Sequence, residues 1–288
     1  MEFIVFNNYR LGVIRNGEVY DITDVLPQRW RETPYGMNQF IADYDNLSMQ
    51  VEQTVSSAKP LKLSSVRLLP PVPAPGQILA APSNYKAHQD EMAGTNMTYK
   101  DRKGSPRNLG FFWKSPGSIC GPADTILLPD VDRRFDHEVE LALVIGKEAK
   151  GVKQEDAYRH IFGYTCLMDL TMRMTEDNKE ERSMRKSFAT FTPIGPKVVT
   201  ADQIANPENL MLRLWVNDEL RQEANTRDLL VNIPELMEIG SQVVPLKPGD
   251  LIATGTPSGV GPIQVGDVVT VELDGIGRMS LPVGRRKW

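Results

Sequence analysis

Short apolar runs with a two-residue alternation, punctuated by glycine, proline, asparagine and aspartate, dominate this chain and predict many brief strands. The first two are residues 11–15 and 18–22, which flank Asn16-Gly17, the pair that favours a two-residue type I′ hairpin turn. Further strand-like runs fall at 77–81, 109–113, 125–128, 138–145, 162–168, 211–216, 251–254, 268–273 and 279–283. Helical spacing is rarer. It predicts one or two helices over 38–58, a polar helical segment over 84–92, a helix over 154–161, and one over 234–243 with Pro234 in its permitted first turn. No long internal repeat is present, and strands do not alternate regularly with helices. The expected class is therefore β-rich α+β, not a doubly wound or barrel-type parallel sheet.

The proline-dense run 69–76 can be neither interior helix nor central strand. It divides the pattern into a small unit of residues 1–70 and a larger one of residues 71–288. Residues 93–107 are polar, glycine-bearing and weakly patterned, which suits a mobile lid.

Composition narrows the function classes. With 288 residues and 41% hydrophobic content the chain can bury a large core, yet no apolar run approaches the length of a membrane span. The N-terminal residues lack the basic segment of a secretory signal, and Cys120 and Cys166 form neither a CxxC pair nor a disulfide framework. A reducing cytoplasm is the expected location. A net charge of −4 leaves no global basic footprint for nucleic acid.

Candidate chemistry begins in the run 136–146. On a strand, Glu138 and Glu140 project to one face while Val139, Leu141, Leu143 and Ile145 line the other. Two close, partly desolvated carboxylates stay ionised only with a cation between them or water over them, so the pair reads either as a metal site or as a solvated strand edge. Asp169 ends the apolar strand 162–168 and is the natural third ligand. Three carboxylates suit one hard ion such as Mg²⁺ or Mn²⁺ better than zinc.

Four separated motifs now stand in register: Asp136-His137-Glu138-Val139-Glu140-Leu141, Met168-Asp169-Leu170-Thr171-Met172-Arg173, Lys186-Ser187-Phe188-Ala189-Thr190-Phe191-Thr192-Pro193-Ile194-Gly195-Pro196 and Gly255-Thr256-Pro257-Ser258-Gly259-Val260-Gly261. In order and spacing they resemble the fumarylacetoacetate hydrolase family from about Pro73 to the C-terminus. The resemblance implies a mixed β-sandwich roll as catalytic fold, preceded by the small N-terminal α+β domain that many bacterial members carry. It implies Glu138, Glu140 and Asp169 as metal ligands, Lys186 as the cation that stabilises an enolate, and His88 with Glu91 as a water-activating dyad. At i and i+3 of a helix the dyad's side chains share a face. Tyr85, Arg173, Glu176 and Thr256 are the implied substrate contacts. His137 and His160 read as structural, and Lys186, taken without its motif, reads as part of a solvated charged face with Arg182 and Arg185.

The implied activity is metal-dependent hydrolysis of the C–C bond of an acylpyruvate-like 2-oxo acid through a metal-bound enolate, in aromatic or sugar-acid catabolism, by a homodimer. Ala189 and Met174 stand where aspartates are common in the family, and Glu176 where glutamine is common; these departures bear on the substrate and spare the metal triad. Decarboxylation of an oxaloacetate-type acid and isomerisation of a hydroxymuconate-type acid use the same scaffold. A non-catalytic binder of a metal-chelated small acid is the alternative of another class, and it would need neither His88 nor Glu91.

Overall fold

A computed structural model of the chain describes residues 1–93 and 104–287. The alternation seen in the sequence builds a sheet of 12 strands whose main path runs Leu61–Lys62, Glu18–Asp21, Arg10–Arg15, Glu2–Phe6, Thr192–Thr200, Ile161–Met168, Val139–Ile145, Leu251–Ala253, Ile78–Ala80, Phe112–Lys114. Neighbours on this path are antiparallel except Leu251–Ala253 with Ile78–Ala80. A second sheet of 5 strands is ordered Glu219–Asn225, Met211–Val216, Val268–Leu273, Gly277–Arg285, Ile126–Leu128. A third, of 3 strands, joins Thr171–Met172, Phe135–His137 and Gly261–Pro262. The class is β-rich α+β, as expected.

Two apolar cores follow from the two faces of the large sheet. Val139, Leu141, Leu143 and Ile145 turn toward Leu212, Leu214, Val269 and Val271 of the second sheet and share one cluster with them. Ala142 and Val144, on the opposite face, belong to a second cluster with Phe3, Phe40, Phe162 and Val198. This face is where Glu138 and Glu140 stand, by the two-residue period of the strand.

The first seventy residues continue the large sheet. Glu2 and Phe3 pair with Val199 and Val198, and the expected hairpin is present, with Asn16 and Gly17 both left-handed at φ 52° and 77°, as a type I′ turn requires. Helices Gly36–Ala42 and Tyr44–Ser57 fill the region expected to hold one or two. The ring of Phe3 lies 4.9 Å from Phe40, 5.6 Å from Tyr44 and 5.8 Å from Phe162, which belongs to the larger unit. We retain as a proposal the division into units 1–70 and 71–288, joined here through strand pairing.

Three local expectations are corrected. The helix expected over 154–161 is a 3₁₀ helix, Gln154–His160, because the chain must leave it directly into the strand Ile161–Met168. The strand expected over 109–113 is present but shorter and displaced, Phe112–Lys114, because a capped helical turn, Pro106–Leu109, ended by Gly110 at φ 65°, takes up the start of that range. Arg182, Arg185 and Lys186 are buried instead of forming a solvated face: backbone carbonyls receive Arg185, carboxylates receive Lys186, and Arg182 lies over the ring of Phe112. The suggested lid falls mainly on residues 94–103, outside the described residues. Among the described residues no helix is long and apolar enough to cross a membrane.

Because Phe3 bridges both parts of the chain, Phe3→Ala should lower the unfolding free energy by about 3–5 kcal/mol. Urea unfolding followed by fluorescence checks this; a loss under about 1 kcal/mol would show that the aromatic cluster adds little.

Candidate active site

The carboxylates meet through strand geometry. Glu138 and Glu140 lie two residues apart at the start of Val139–Ile145, Glu140 pairs across the ladder with Leu167, and Asp169 follows Leu167 by two, so all three reach the same face. The backbone N–H of Asp169 donates to the carbonyl of Glu138 at 2.8 Å, which closes the two strand ends on each other. All three are buried, at 4%, 2% and 1% exposure, which removes the solvated-edge reading. Their oxygens lie within 4.8 Å of one another. A donor set of three carboxylates with neither sulfur nor ring nitrogen fits a hard divalent cation.

Cations from distant parts of the chain converge on this cluster. Lys186 Nζ donates to Glu138 Oε2 at 2.7 Å, Asp169 Oδ2 at 2.6 Å and Thr171 Oγ1 at 2.6 Å. Arg173 bridges Asp136 Oδ2 at 2.6 Å and Glu138 Oε1 at 2.8 Å. Burial alone would raise the Glu138 carboxyl, but Lys186 and Arg173 outweigh it and hold the group well below the usual carboxylate range. Glu140 behaves oppositely. Burial, then the charges of Asp169 and Glu138, push its proton affinity well up, although the backbone N–H of Gly255 donates to it at 2.7 Å. A second positive charge is what this carboxylate lacks, which again suits a bound cation.

His88 and Glu91 are paired. On the helix Lys86–Met92, His88 Nδ1 faces Glu91 Oε2 at 3.1 Å, and Glu91 Oε1 accepts from the backbone N–H of Gly259 at 2.9 Å. Burial raises Glu91, yet the His88 bond and the Gly259 amide together bring it below its ordinary value. Gly259 can be nothing larger: its φ is 91°, and a Cβ would lie 1.9 Å from the carbonyl oxygen of Arg221.

His88, the three carboxylates, Arg173, Lys186 and Thr256 line one cavity. Tyr85 does not line it; it is buried, its hydroxyl has no hydrogen-bond partner among the described residues, and burial followed by the Glu140 charge raises it. Glu176 is exposed and also lies off the cavity wall. His137 faces Gln222 Oε1 at 3.2 Å, and burial lowers its proton affinity.

Three residues of this site escape sequence reasoning. Lys114, fully buried, donates to Asp169 Oδ1 at 2.6 Å and to the carbonyl of Lys186. Burial lowers its proton affinity and the Asp169 carboxylate opposes that. Asp136 continues the alternation of Glu138 and Glu140 by two residues, a signal that was available. Gln222 has no such signal: from the second sheet it accepts from Val139 N at 3.0 Å and donates to Thr256 Oγ1 and the Pro257 carbonyl, each at 2.9 Å. One side chain thereby ties the carboxylate strand to the glycine loop.

The model of the fumarylacetoacetate (FAA) hydrolase C-terminal family matches residues 77–284. The chain is 40% identical over 289 residues to a maleylpyruvate hydrolase of Aquipseudomonas alcaligenes, covering 98% of this chain and 99% of that one. The crystal structure of maleylpyruvate hydrolase from Sphingobium sp. SYK-6 in complex with a manganese(II) ion and pyruvate superposes with a TM-score of 0.86 at 38% identity, with full coverage of both chains. A 2-hydroxyhepta-2,4-diene-1,7-dioate isomerase of Mycobacterium marinum superposes with a TM-score of 0.69 at 33% identity, covering 81% of this chain and 83% of that one.

Lys114→Met removes one partner of a fully buried ion pair and should destabilise the fold by about 3–5 kcal/mol. Denaturant unfolding measures it, and a change below about 1 kcal/mol would mean that Lys186 alone balances Asp169.

Proposed function

This chain belongs to the fumarylacetoacetate hydrolase family, and from that premise we propose that it is a divalent-metal-dependent hydrolase that cleaves the C–C bond of an acylpyruvate-like 2-oxo acid. The observation that carries the reading is the His88–Glu91 pair, at 3.1 Å, opening on the cavity that also holds the three carboxylates and Lys186. Chelation of a small acid alone would need no such pair. The pyruvate held with manganese by the Sphingobium relative supports it further, because pyruvate is the product such a cleavage leaves.

In this reading Glu138, Glu140 and Asp169 hold one Mg²⁺ or Mn²⁺ per subunit. The ion, when bound, acts as a Lewis acid toward the 2-oxo acid and lowers the energy of its negative oxygen. The chain's own residues do the rest. With Nδ1 turned to Glu91, Nε2 of His88 is the atom left to take a proton from water, and the Glu91 carboxylate orients the ring and stabilises its charged form. The oxygen of that water adds to the acyl carbonyl, and the bond to the adjacent CH₂ then breaks. The electron pair of the broken bond leaves on the pyruvate fragment as its enolate, with the Lys186 ammonium beside the developing charge. Return of the proton from His88 to the CH₂ carbon completes the methyl group of pyruvate. One water is consumed, and a carboxylic acid and pyruvate are formed.

Thr256 and Arg173 line the cavity, which supports them as substrate contacts. Tyr85 and Glu176 do not line it, so the reading rests on the first two. A homodimer in the cytoplasm completes the proposal.

Glu138→Gln should abolish Mn²⁺ binding in calorimetry together with pyruvate release from acylpyruvates; near-normal turnover would overturn the metal assignment. His88→Ala should cut kcat by about 10²- to 10⁴-fold while Mn²⁺ affinity stays within about threefold. Wild-type protein that turns over oxaloacetate or a hydroxymuconate-type acid, but no acylpyruvate, would transfer the assignment to decarboxylation or isomerisation.

A further inference from the structure

Two backbone groups fix the orientation of the Gln222 amide. The N–H of Val139 can only donate, so the atom 3.0 Å from it is Oε1, and the carbonyl of Pro257 can only accept, so the atom 2.9 Å from it is Nε2. The roles of the other two neighbours follow. His137 Nδ1, 3.2 Å from Oε1, must carry a hydrogen and donate it, and Thr256 Oγ1, 2.9 Å from Nε2, must accept. Oε1 thereby uses both lone pairs and Nε2 both hydrogens. The flipped amide would set N–H against N–H at Val139 and oxygen against oxygen at Pro257. His137, Gln222 and Thr256 are all buried, and His137 Nε2 meets no hydrogen-bond partner among the described residues. A hydrogen moved from Nδ1 to Nε2 would be a buried donor without an acceptor.

This relay ends in the cavity. Thr256 lines it beside the three carboxylates, and among the described residues Gln222 is the partner of its hydroxyl. A hydroxyl has one hydrogen and two lone pairs. Gln222 fills a lone pair and, presenting only N–H groups there, cannot receive the hydrogen. That hydrogen is left for a group inside the cavity. The carboxylate and keto oxygens of a 2-oxo acid only accept, so the sign of the bond matches such a ligand. The loop that carries Thr256 is held at both ends: Gly255 donates to Glu140, and Gly261 pairs with His137 in the third sheet.

We propose that Gln222, held in one orientation with the help of His137, is a positioning residue that commits the Thr256 hydroxyl to donate its hydrogen to an oxygen of the bound 2-oxo acid. The presence of that oxygen beside Thr256 is taken from the hydrolase reading above. A donor turned in advance toward an acceptor-only oxygen need not reorient when the ligand arrives, whereas an uncommitted hydroxyl would present a repelling lone pair for part of the time.

The test is a double-mutant cycle on the full-length, Mn²⁺-loaded protein, with pyruvate affinity read by calorimetry and folding checked by thermal melts. Thr256→Val should weaken pyruvate binding about tenfold or more, and Thr256→Ser should keep it within about threefold. Gln222→Met should cost about as much as Thr256→Val in the wild-type background, but no more than about twofold in the Thr256→Val background, with Mn²⁺ affinity within about threefold in every variant. Equal losses from Gln222→Met in both backgrounds, or a larger fall in Mn²⁺ affinity, would overturn the proposal, because Gln222 would then act through the carboxylate strand. A wild type that binds Mn²⁺ but no pyruvate overturns it too. If Gln222→Met does not fold, nitrogen NMR of the Mg²⁺-loaded wild type decides: a hydrogen on His137 Nδ1 is expected, and an imidazole with its hydrogen on Nε2 alone overturns the relay. Pyruvate release from acylpyruvates, with no coupling between Gln222 and Thr256, would leave the hydrolase reading standing and remove this one. Coupling in the pyruvate cycle without cleavage of any acylpyruvate would do the reverse.

Discussion

Mutual repulsion among buried carboxylates is the constraint around which this molecule is arranged. Asp136, Glu138, Glu140 and Asp169 are each at most 4% exposed, and at such separations in a poorly solvated interior like charges cannot persist without compensation. Compensation comes from Lys114, Arg173 and Lys186, residues far apart in the chain. Bringing them together requires the strand Phe112–Lys114 at one edge of the large sheet, the segment that follows Asp169, and the helical turn before Lys186 to close over the same strand ends. Folding and site assembly are thus one event, because the sheet cannot bury these carboxylates until the three cations are in place.

The glycine loop after the strand Leu251–Ala253 ties the carboxylate cluster to the His88–Glu91 pair. Its Gly255 N–H binds Glu140 and its Gly259 N–H binds Glu91, so one backbone segment fixes a carboxylate of the triad and the carboxylate paired with His88. Both glycines have positive φ, and a Cβ on either would strike a neighbour, at Asn84 Cβ for Gly255 and at the Arg221 carbonyl for Gly259. Gln222 locks the loop from the second sheet through Thr256 and Pro257. The distance between triad and dyad is therefore set by backbone and by a buried amide, which suits a reaction that demands fixed positions of charge.

How much of this was legible in the sequence depends on the range of the interaction. Asn16-Gly17 specifies its turn locally, and the i, i+2 placing of Glu138 and Glu140 follows from strand geometry alone. Asp169 needed only the end of an apolar run. Lys114 and Gln222 had no comparable signal, because each becomes meaningful through pairing across more than 50 residues, Lys114 with Asp169 and Gln222 with Val139. The charged stretch before Lys186 misled for the same reason: local composition marks a solvated face, while the carbonyl of Met172, the ring of Phe112 and the carboxylates of Glu138 and Asp169 receive its side chains. The 3₁₀ helix Gln154–His160 shows the opposite limit, where helical spacing was read correctly but the need to enter the next strand prevented a full α-helix.

The strand Val139–Ile145 also explains why the N-terminal residues matter to a site they do not touch. Its one face carries Glu138 and Glu140, then Ala142 and Val144, so polar chemistry gives way to apolar packing within two residues. Small Ala142 and β-branched Val144 are covered by a cluster that includes Phe3 and Phe40 from the first seventy residues. Without that cover, water would reach the same face just below the carboxylates and weaken every charge interaction above it, since the attraction of Lys186 and Arg173 for Glu138 falls as the local dielectric rises. The pairing of Glu2 and Phe3 with Val199 and Val198 holds the cover in register with the sheet. On this argument the first seventy residues support the carboxylate cluster by keeping its strand face dry from beneath, without touching the carboxylates themselves.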